Sequence, residues 1–212
     1  KICHVLGFST FNLLDRRFNL YVADSDFVRD FLNTVYGLST TVITPFIDLD
    51  AIDAAPPPWR ERPAGPIPVL HKGGPMLQPF RDRLAAILAV EAPDIAIVDL
   101  ALRERQPHAD FVHSLGGYRF IVTLSLAEGF GLVPVEAMAM GTVVVGFDGF
   151  GGRHYMRDGV NCAVAQYPDI EGVAARLIDV VRDPAKAERI AAAGKLTARD
   201  HGYAPYRAAW VE

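Results

Sequence analysis

Apolar residues recur along the chain with two alternating periods, a short continuous run and then a helical spacing. Residues 2-ICHVL-6 read as a strand and 10-TFNLLDRRF-18 as a short helix. The run 20-LYVAD-24 is a buried strand. Ser25 is placed to cap the helix that follows, with Asp26 in its first turn. Phe27, Val28, Phe31, Leu32 and Val35 form one face of that helix, and Gly37 ends it. Residues 40-TTVITPFID-48 read as a strand running into a loop. The pattern then breaks: six of the eighteen residues in 51-AIDAAPPPWRERPAGPIP-68 are proline, which neither a helix nor a central strand tolerates. Beyond it, strands are expected at 67–71, 95–100, 119–125, 142–147 and 161–165. Helices are expected at 76–92, 109–115, 169–182 and 184–200. Pro79 fits only the first turn of its helix. Strands alternating with helices predict an α/β fold, a Rossmann-like parallel sheet covered by helices. The prolines divide it into residues 1–48, a linker at 49–66, a larger unit at 67–202 and a terminal aromatic helix at 203–212.

Composition narrows the function classes. Half of the residues are hydrophobic and the formal charge is -4, so the basic excess of a nucleic-acid binder is missing. Apolar runs such as 84-LAAILAV-90 fall far short of the ~20 residues of a membrane span. Cys3 and Cys162 read as small buried side chains of a cytoplasmic, reducing-compartment protein. The chain begins at Lys1, which we read as a piece of a longer protein. The histidines lack metal-ligand spacing, His108 and His113 included, so no metal is expected. A Walker sequence is absent, and Pro134 stands where a GxGxxG motif needs its third glycine. Met138 and Met140 read as core, Trp59 as a cap on a hydrophobic edge, and His154 as a loop residue near the ligand edge.

The chemistry concentrates in 128-EGFGLVPVEAMAMG-141. A buried strand delivers this loop to the carboxyl edge of the sheet, where open parallel sheets bind ligands. Pro134 suits the first position of a helix about 134–140, and Gly141 the position past its end. The start of such a helix offers unpaired N–H groups and partial positive charge, suited to a phosphate. Gly129 and Gly131 let a ligand approach the backbone. Glu128 and Glu136 would repel a bare phosphate, but a carboxylate accepts hydrogen bonds from two neighbouring hydroxyls. A phosphate between two polyols, as in a nucleotide diphosphate sugar, fits all three parts. The competing reading makes Glu136 a complement to the helix dipole and Glu128 a solvated loop residue.

The stretch 128-EGFGLVPVEAMAMGTVVVGFDGFGG-152 resembles the donor-binding region of retaining glycosyltransferases of family 4 and their relatives, which have the GT-B fold. Their signature, a glutamate, seven residues and a second glutamate, is unbroken here. The resemblance continues through 157-RDGVNCAV-164, where Cys162 replaces the usual glycine. It reaches back more weakly to 24-DSDFVRDFLNTVYG-37 and 45-PFID-48. It implies that the chain is the C-terminal half of a GT-B fold, with the tail of the acceptor-side domain at 1–48. The terminal helix would return to that domain.

By the same resemblance, Glu136 holds the ribose hydroxyls and Glu128 lies beside the transferred sugar. The segment Gly129, Phe130, Gly131, Leu132 and Val133 meets the donor, its amides contacting the diphosphate. Lys72 is the candidate for the family's diphosphate lysine, against the reading of a solvated loop lysine. The family's arginine has no counterpart, because His71 stands at its place. The interval from Lys72 to Glu128 is short, and the base-recognition segment falls within it. The implied activity is hexosyl transfer with retention, from a nucleotide diphosphate sugar to a sugar, glycan or lipid acceptor, without metal or cofactor. The chain by itself is expected to be inactive, lacking most of the acceptor domain. The alternatives are a non-catalytic nucleotide-sugar-binding or interaction module, and a GT-B-like epimerase or phosphorylase.

Overall fold

The computed structural model describes residues 20–49, 56–72, 76–100 and 107–211, without the side chains of His71 and Lys72. The strand expected at 2–6 and the helix expected at 10–18 lie outside these residues, as does Cys3.

Among the described residues, two parallel sheets form. The smaller pairs β1 (Tyr21–Ala23) with β2 (Thr40–Val42) around α1 (Asp26–Tyr36). Ser25 caps α1 by accepting from the Val28 amide, and Gly37 ends it in the left-handed conformation at φ 65°. Ala23, Val28 and Leu32 make a small separate core, flanked by Phe27 and Phe31.

The larger sheet holds β3 (Ile67–Lys72), β4 (Ile97–Asp99), β5 (Phe120–Ser125), β6 (Val143–Phe147) and β7 (Ala163–Ala165). Its spatial order is β4-β3-β5-β6-β7, with every pair parallel. The helices between and after the strands are α2 (Gln78–Glu91), α3 (His108–Leu115), α4 (Leu132–Ala139), α5 (Ile170–Arg182), α6 (Pro184–Arg199) and α7 (Tyr203–Ala209). The side-chain alternation of strands assigns the faces. Phe120, Val122 and Leu124 pack in one core with Leu84 and Leu88 of α2 and Val173 and Leu177 of α5. Ile121 and Val144 pack in a second core with Val112 and Leu115 of α3 and Val135 and Met138 of α4. With both faces covered, all six residues of β5 are buried.

The proline-rich segment is more ordered at its end than a plain loop. Residues Trp59–Glu61 make a 3-10 turn, and Trp59 packs edge-on against Phe120 at 5.6 Å between ring centroids. Arg62 is buried and donates to the carbonyls of Pro57, Tyr118, Gly141 and Met140 and to the Thr142 hydroxyl. It thereby covers the C-terminus of α4, where the helix dipole is negative. Burial lowers its pKa. β4 begins two residues later than its hydrophobic run and is half exposed, with Val98 at 43%. It is an edge strand, so one side of its run has no neighbour to bury it. α7 lies against the segment after β2, with Phe46 5.2 Å from Tyr203 and 4.9 Å from Tyr206 between ring centroids.

Candidate active site

The strand order reverses between β3 and β5. β4 lies on one side of β3, whereas β5, β6 and β7 lie on the other. Ligands of open parallel sheets bind at such a switch point, outside the carboxyl ends of the strands. Lys72 and Ser125 are partners in register at the ends of these two strands. Lys72 therefore stands at the crevice by its backbone, while its side chain lies outside the described residues.

Ser125 leads into the loop that carries Glu128. The Glu128 amide donates to the Gly149 carbonyl at 2.8 Å, joining the loops after β5 and β6. Its carboxylate accepts from Ser125 Oγ at 3.3 Å. The two loops touch so closely that glycine is required: a Cβ on Gly151 would stand 2.3 Å from the Gly129 carbonyl oxygen. Phe150, between Gly149 and Gly151, has φ 62° and ψ -55°. The Gly151 amide donates back to the Gly149 carbonyl, which makes Phe150 the centre of a γ-turn of the rarer, strained hand. That conformation is held on three sides. Phe27 stacks on the ring at 5.1 Å, the Arg153 guanidinium lies over it at 4.7 Å, and Asp148 accepts from the Phe150 amide.

α4 starts at Leu132, two residues earlier than its proline suggests. Pro134 is its third residue, still within the first turn, where the missing N–H costs no helical hydrogen bond. The N-cap is Gly131 at φ 90°, which brings no side chain of its own to the first amides. Gly141 lies just past the end, as expected, at φ 69°. Phe130 is buried against Tyr155 and His201, so its side chain is core and its backbone is what the loop presents. Leu132 is 40% exposed at the helix start, with Val133 beside it.

Glu136 is 2% exposed and sits on α4 facing α3. His108, the first residue of α3, reaches across, its Nε2 2.7 Å from Glu136 Oε1. The imidazole is 70% exposed and the glutamate side chain 3%, so the histidine forms the outer wall over a buried carboxylate. Tyr155 supports the loop between the two glutamates. Its hydroxyl donates to the Gly131 carbonyl at 2.6 Å. Burial raises the phenol pKa well above its ordinary value, and the charges of Cys162, Glu128 and Glu136 add to the rise. Tyr155 is thus a permanent donor beneath the helix start, within the field of both carboxylates. Cys162 is a buried thiol pushed up to about 12 by burial, the inert side chain expected of it.

α1 closes one flank. Ser25 Oγ donates to the Gly129 carbonyl, and His154 Nδ1 is 2.8 Å from Asp26. His154 also borders a cleft of about 250 Å³ with Asp26, Ile43, His201 and Tyr206. Among the described residues, no group of three or more His, Cys, Asp and Glu side chains could hold a metal ion. No helix among them is long and apolar enough to cross a membrane. The sequence reading did not single out Tyr155, Phe150 or Arg62, and it set His108 aside for want of metal spacing. Each acts through a partner distant in the chain.

Comparison with known proteins bears on what this crevice does. Residues 104–197 match the family described as Glycosyl transferases group 1, a span that includes Glu128, Glu136 and His108. The UDP-N-acetylglucosamine--peptide N-acetylglucosaminyltransferase GtfA subunit of Streptococcus gordonii is 40% identical over 55 residues, 26% of this chain and 11% of that protein. A mutant of S. aureus TarM in complex with Fondaparinux, alpha-GlcNAc-glycerol and UDP superposes with a TM-score of 0.74 at 16% identity, over 92% of this chain and 43% of TarM. Sucrose-phosphate synthase from Thermosynechococcus elongatus gives a TM-score of 0.71 at 16% identity, over 91% of this chain and 56% of the synthase. The chain thus spans about half the length of these structures and a small part of the curated relative. Residues 104–197 are thus similar to the glycosyltransferase group 1 family, and the chain shares its α/β fold, a parallel sheet flanked by helices, with these GT-B structures.

Proposed function

We propose that the chain is the nucleotide-sugar half of a retaining GT-B glycosyltransferase of the family 4 type, working in the reducing cytoplasm on a UDP-hexose donor. The observation that carries this reading is the placement of Glu128 and Glu136 around one glycine-capped helix start at the switch point of the sheet. Glu136 takes the ribose diol, the first amides of α4 take the diphosphate with Lys72, and Glu128 faces the hexose. UDP is favoured because the S. gordonii relative is named for a UDP-sugar and TarM was crystallised with UDP.

In the reaction, the bond between the anomeric carbon and the diphosphate oxygen breaks. The acceptor oxygen bonds to the same face of that carbon, and its proton passes to the departing phosphate oxygen. Fixed amides and positioning supply most of the rate, and neither a metal nor a side-chain nucleophile is needed. The acceptor, a sugar, glycan or lipid, is held by a partner domain across the cleft, so the chain by itself binds donor and turns nothing over. The small β1–α1–β2 unit belongs to that domain, and α7 returns to it.

A thermal-shift comparison of UDP-, GDP- and ADP-sugars tests the donor. At about 100 times its Kd the right one adds about 2.7 kcal/mol. Stabilisation by GDP- or ADP-sugars and not by UDP-sugars would overturn the choice of base, and stabilisation by none would overturn the binding role. Donor turnover by this chain alone, at the rate of a version extended by a partner domain, would overturn the need for that domain.

A further inference from the structure

We infer that His108 is a positioning residue for the donor's ribose, acting by orienting Glu136. The inference rests on the ribose role proposed for Glu136. The observation behind it is independent of that role: one exposed imidazole makes a 2.7 Å contact with a carboxylate that is itself buried.

A buried carboxylate that must recognise a diol faces a rotational problem. Its two oxygens are equivalent, and the diol is read only when the carboxylate plane presents lone pairs toward it. Nε2–H of His108, donated to Oε1, fixes that plane. The backbone makes the contact reproducible. Pro107 enters the helix in an extended conformation, so His108 is the first helical residue of α3. Val112 and Leu115 lock α3 into the same core as Val135 and Met138 of α4, the helix that carries Glu136. The two side chains are therefore held by packed helices, which keeps the bond at one geometry. A carboxylate has about four lone-pair sites, so it can accept from more than one donor at once. The imidazole is 70% exposed, so little packing depends on it and its removal leaves the fold intact.

The test measures affinity for UDP and for 2′-deoxy-UDP by calorimetry on the full chain. Wild type binds UDP more tightly than 2′-deoxy-UDP. His108→Ala weakens UDP about ten-fold, the loss expected for one hydrogen bond to a charged group, and shrinks the ratio between the two ligands. His108→Gln, which can still donate to Glu136, restores most of both. In a Glu136→Ala background, His108→Ala has no further effect, because it acts through that carboxylate.

Three results overturn the inference. A His108→Ala ratio equal to wild type means that the bond is only structural. Additive losses in the double variant mean that His108 touches the donor directly. A wild type that treats the two ligands alike removes Glu136 from the ribose, and the inference falls with the reading beneath it.

Discussion

At its C-terminus α4 is held by side chains: Arg62 donates to the Met140 and Gly141 carbonyls, and Thr142 fixes the adjoining turn through the Leu115 and Tyr118 carbonyls. At its N-terminus the cap is a glycine at φ 90°, and the neighbouring loop is pressed against a second glycine loop. The same short helix is thus closed at its negative end and offered at its positive end. Every helix leaves four amides and four carbonyls unpaired, and stability is gained by satisfying them. A buried arginine on one end and no cap side chain on the other divide the helix into an anchored end and, on the proposed function, a recognition end. On the proposed function, a side chain over the first amides would occupy the place of the donor's diphosphate.

The division predicts that changes at the two ends separate. Arg62→Leu is the largest expected effect. It strips the hydrogen bonds from a set of buried carbonyls, and should cost about 3 kcal/mol of stability, a fall in Tm on the order of 10 °C. Affinity for UDP measured below the transition should stay near wild type. A strong loss of affinity at full folding would show that the C-terminal end is not a mere anchor. Glu136→Ala, nearer the open end, reverses the pattern. UDP binding should weaken by about 1.5–3 kcal/mol, roughly ten- to a hundred-fold, with Tm little changed. Calorimetry giving unchanged affinity would remove Glu136 from the ribose.

Gly131→Ala comes next. A side chain at φ 90° is strained by about 1–2 kcal/mol, and its Cβ would stand 3.2 Å from the Tyr155 hydroxyl. The helix start must shift to relieve it, so donor affinity should fall along with Tm. If Tm falls and affinity does not, the amides at this end do not meet the diphosphate.

How much of this was legible in the chain follows from the distance over which each feature is decided. The loop, the glycine past α4 and the two glutamates lie within fourteen consecutive residues, so their order along the sequence is already their geometry. Ser25 as the cap of α1 and the fully buried β5 are equally local. The start of α4 was placed two residues late because a proline's missing N–H is tolerated anywhere in the first turn. The pattern alone cannot choose among those positions. His108 and Glu136 are 28 residues apart, and Arg62 is 80 residues from Thr142. Such pairs exist only once the sheet order sets α3 beside α4 and brings the proline-rich segment under them, and neither carries a spacing rule. Asp26 and His154, 128 residues apart, meet because α1 packs on the loop after β6.

The smallest effect should come from pH, acting at the open end through His201. This residue is 8% exposed, and its ring lies 5.0 Å from Phe130 and 5.5 Å from Tyr155 between centroids. Both neighbours belong to the underside of the α4 start. Burial lowers the His201 pKa, the charge of His154 lowers it further, and Asp200 opposes them. His154 is itself paired with Asp26, so two carboxylates and two imidazoles share this corner. A histidine whose folded pKa is depressed binds fewer protons folded than unfolded. Its contribution is therefore complete above the unfolded value of about 6.5 and is lost as pH falls through that value toward the lower folded one. Thermal unfolding of the wild type should show a modest decline in Tm from about pH 7 to about pH 5, and His201→Gln should flatten it. Donor affinity should decline over the same window if the packing of Phe130 sets the loop. A pH-independent affinity beside a pH-dependent Tm would confine His201 to the anchored interior and separate it from the recognition end. A decline of equal size in His201→Gln would remove His201 as its source.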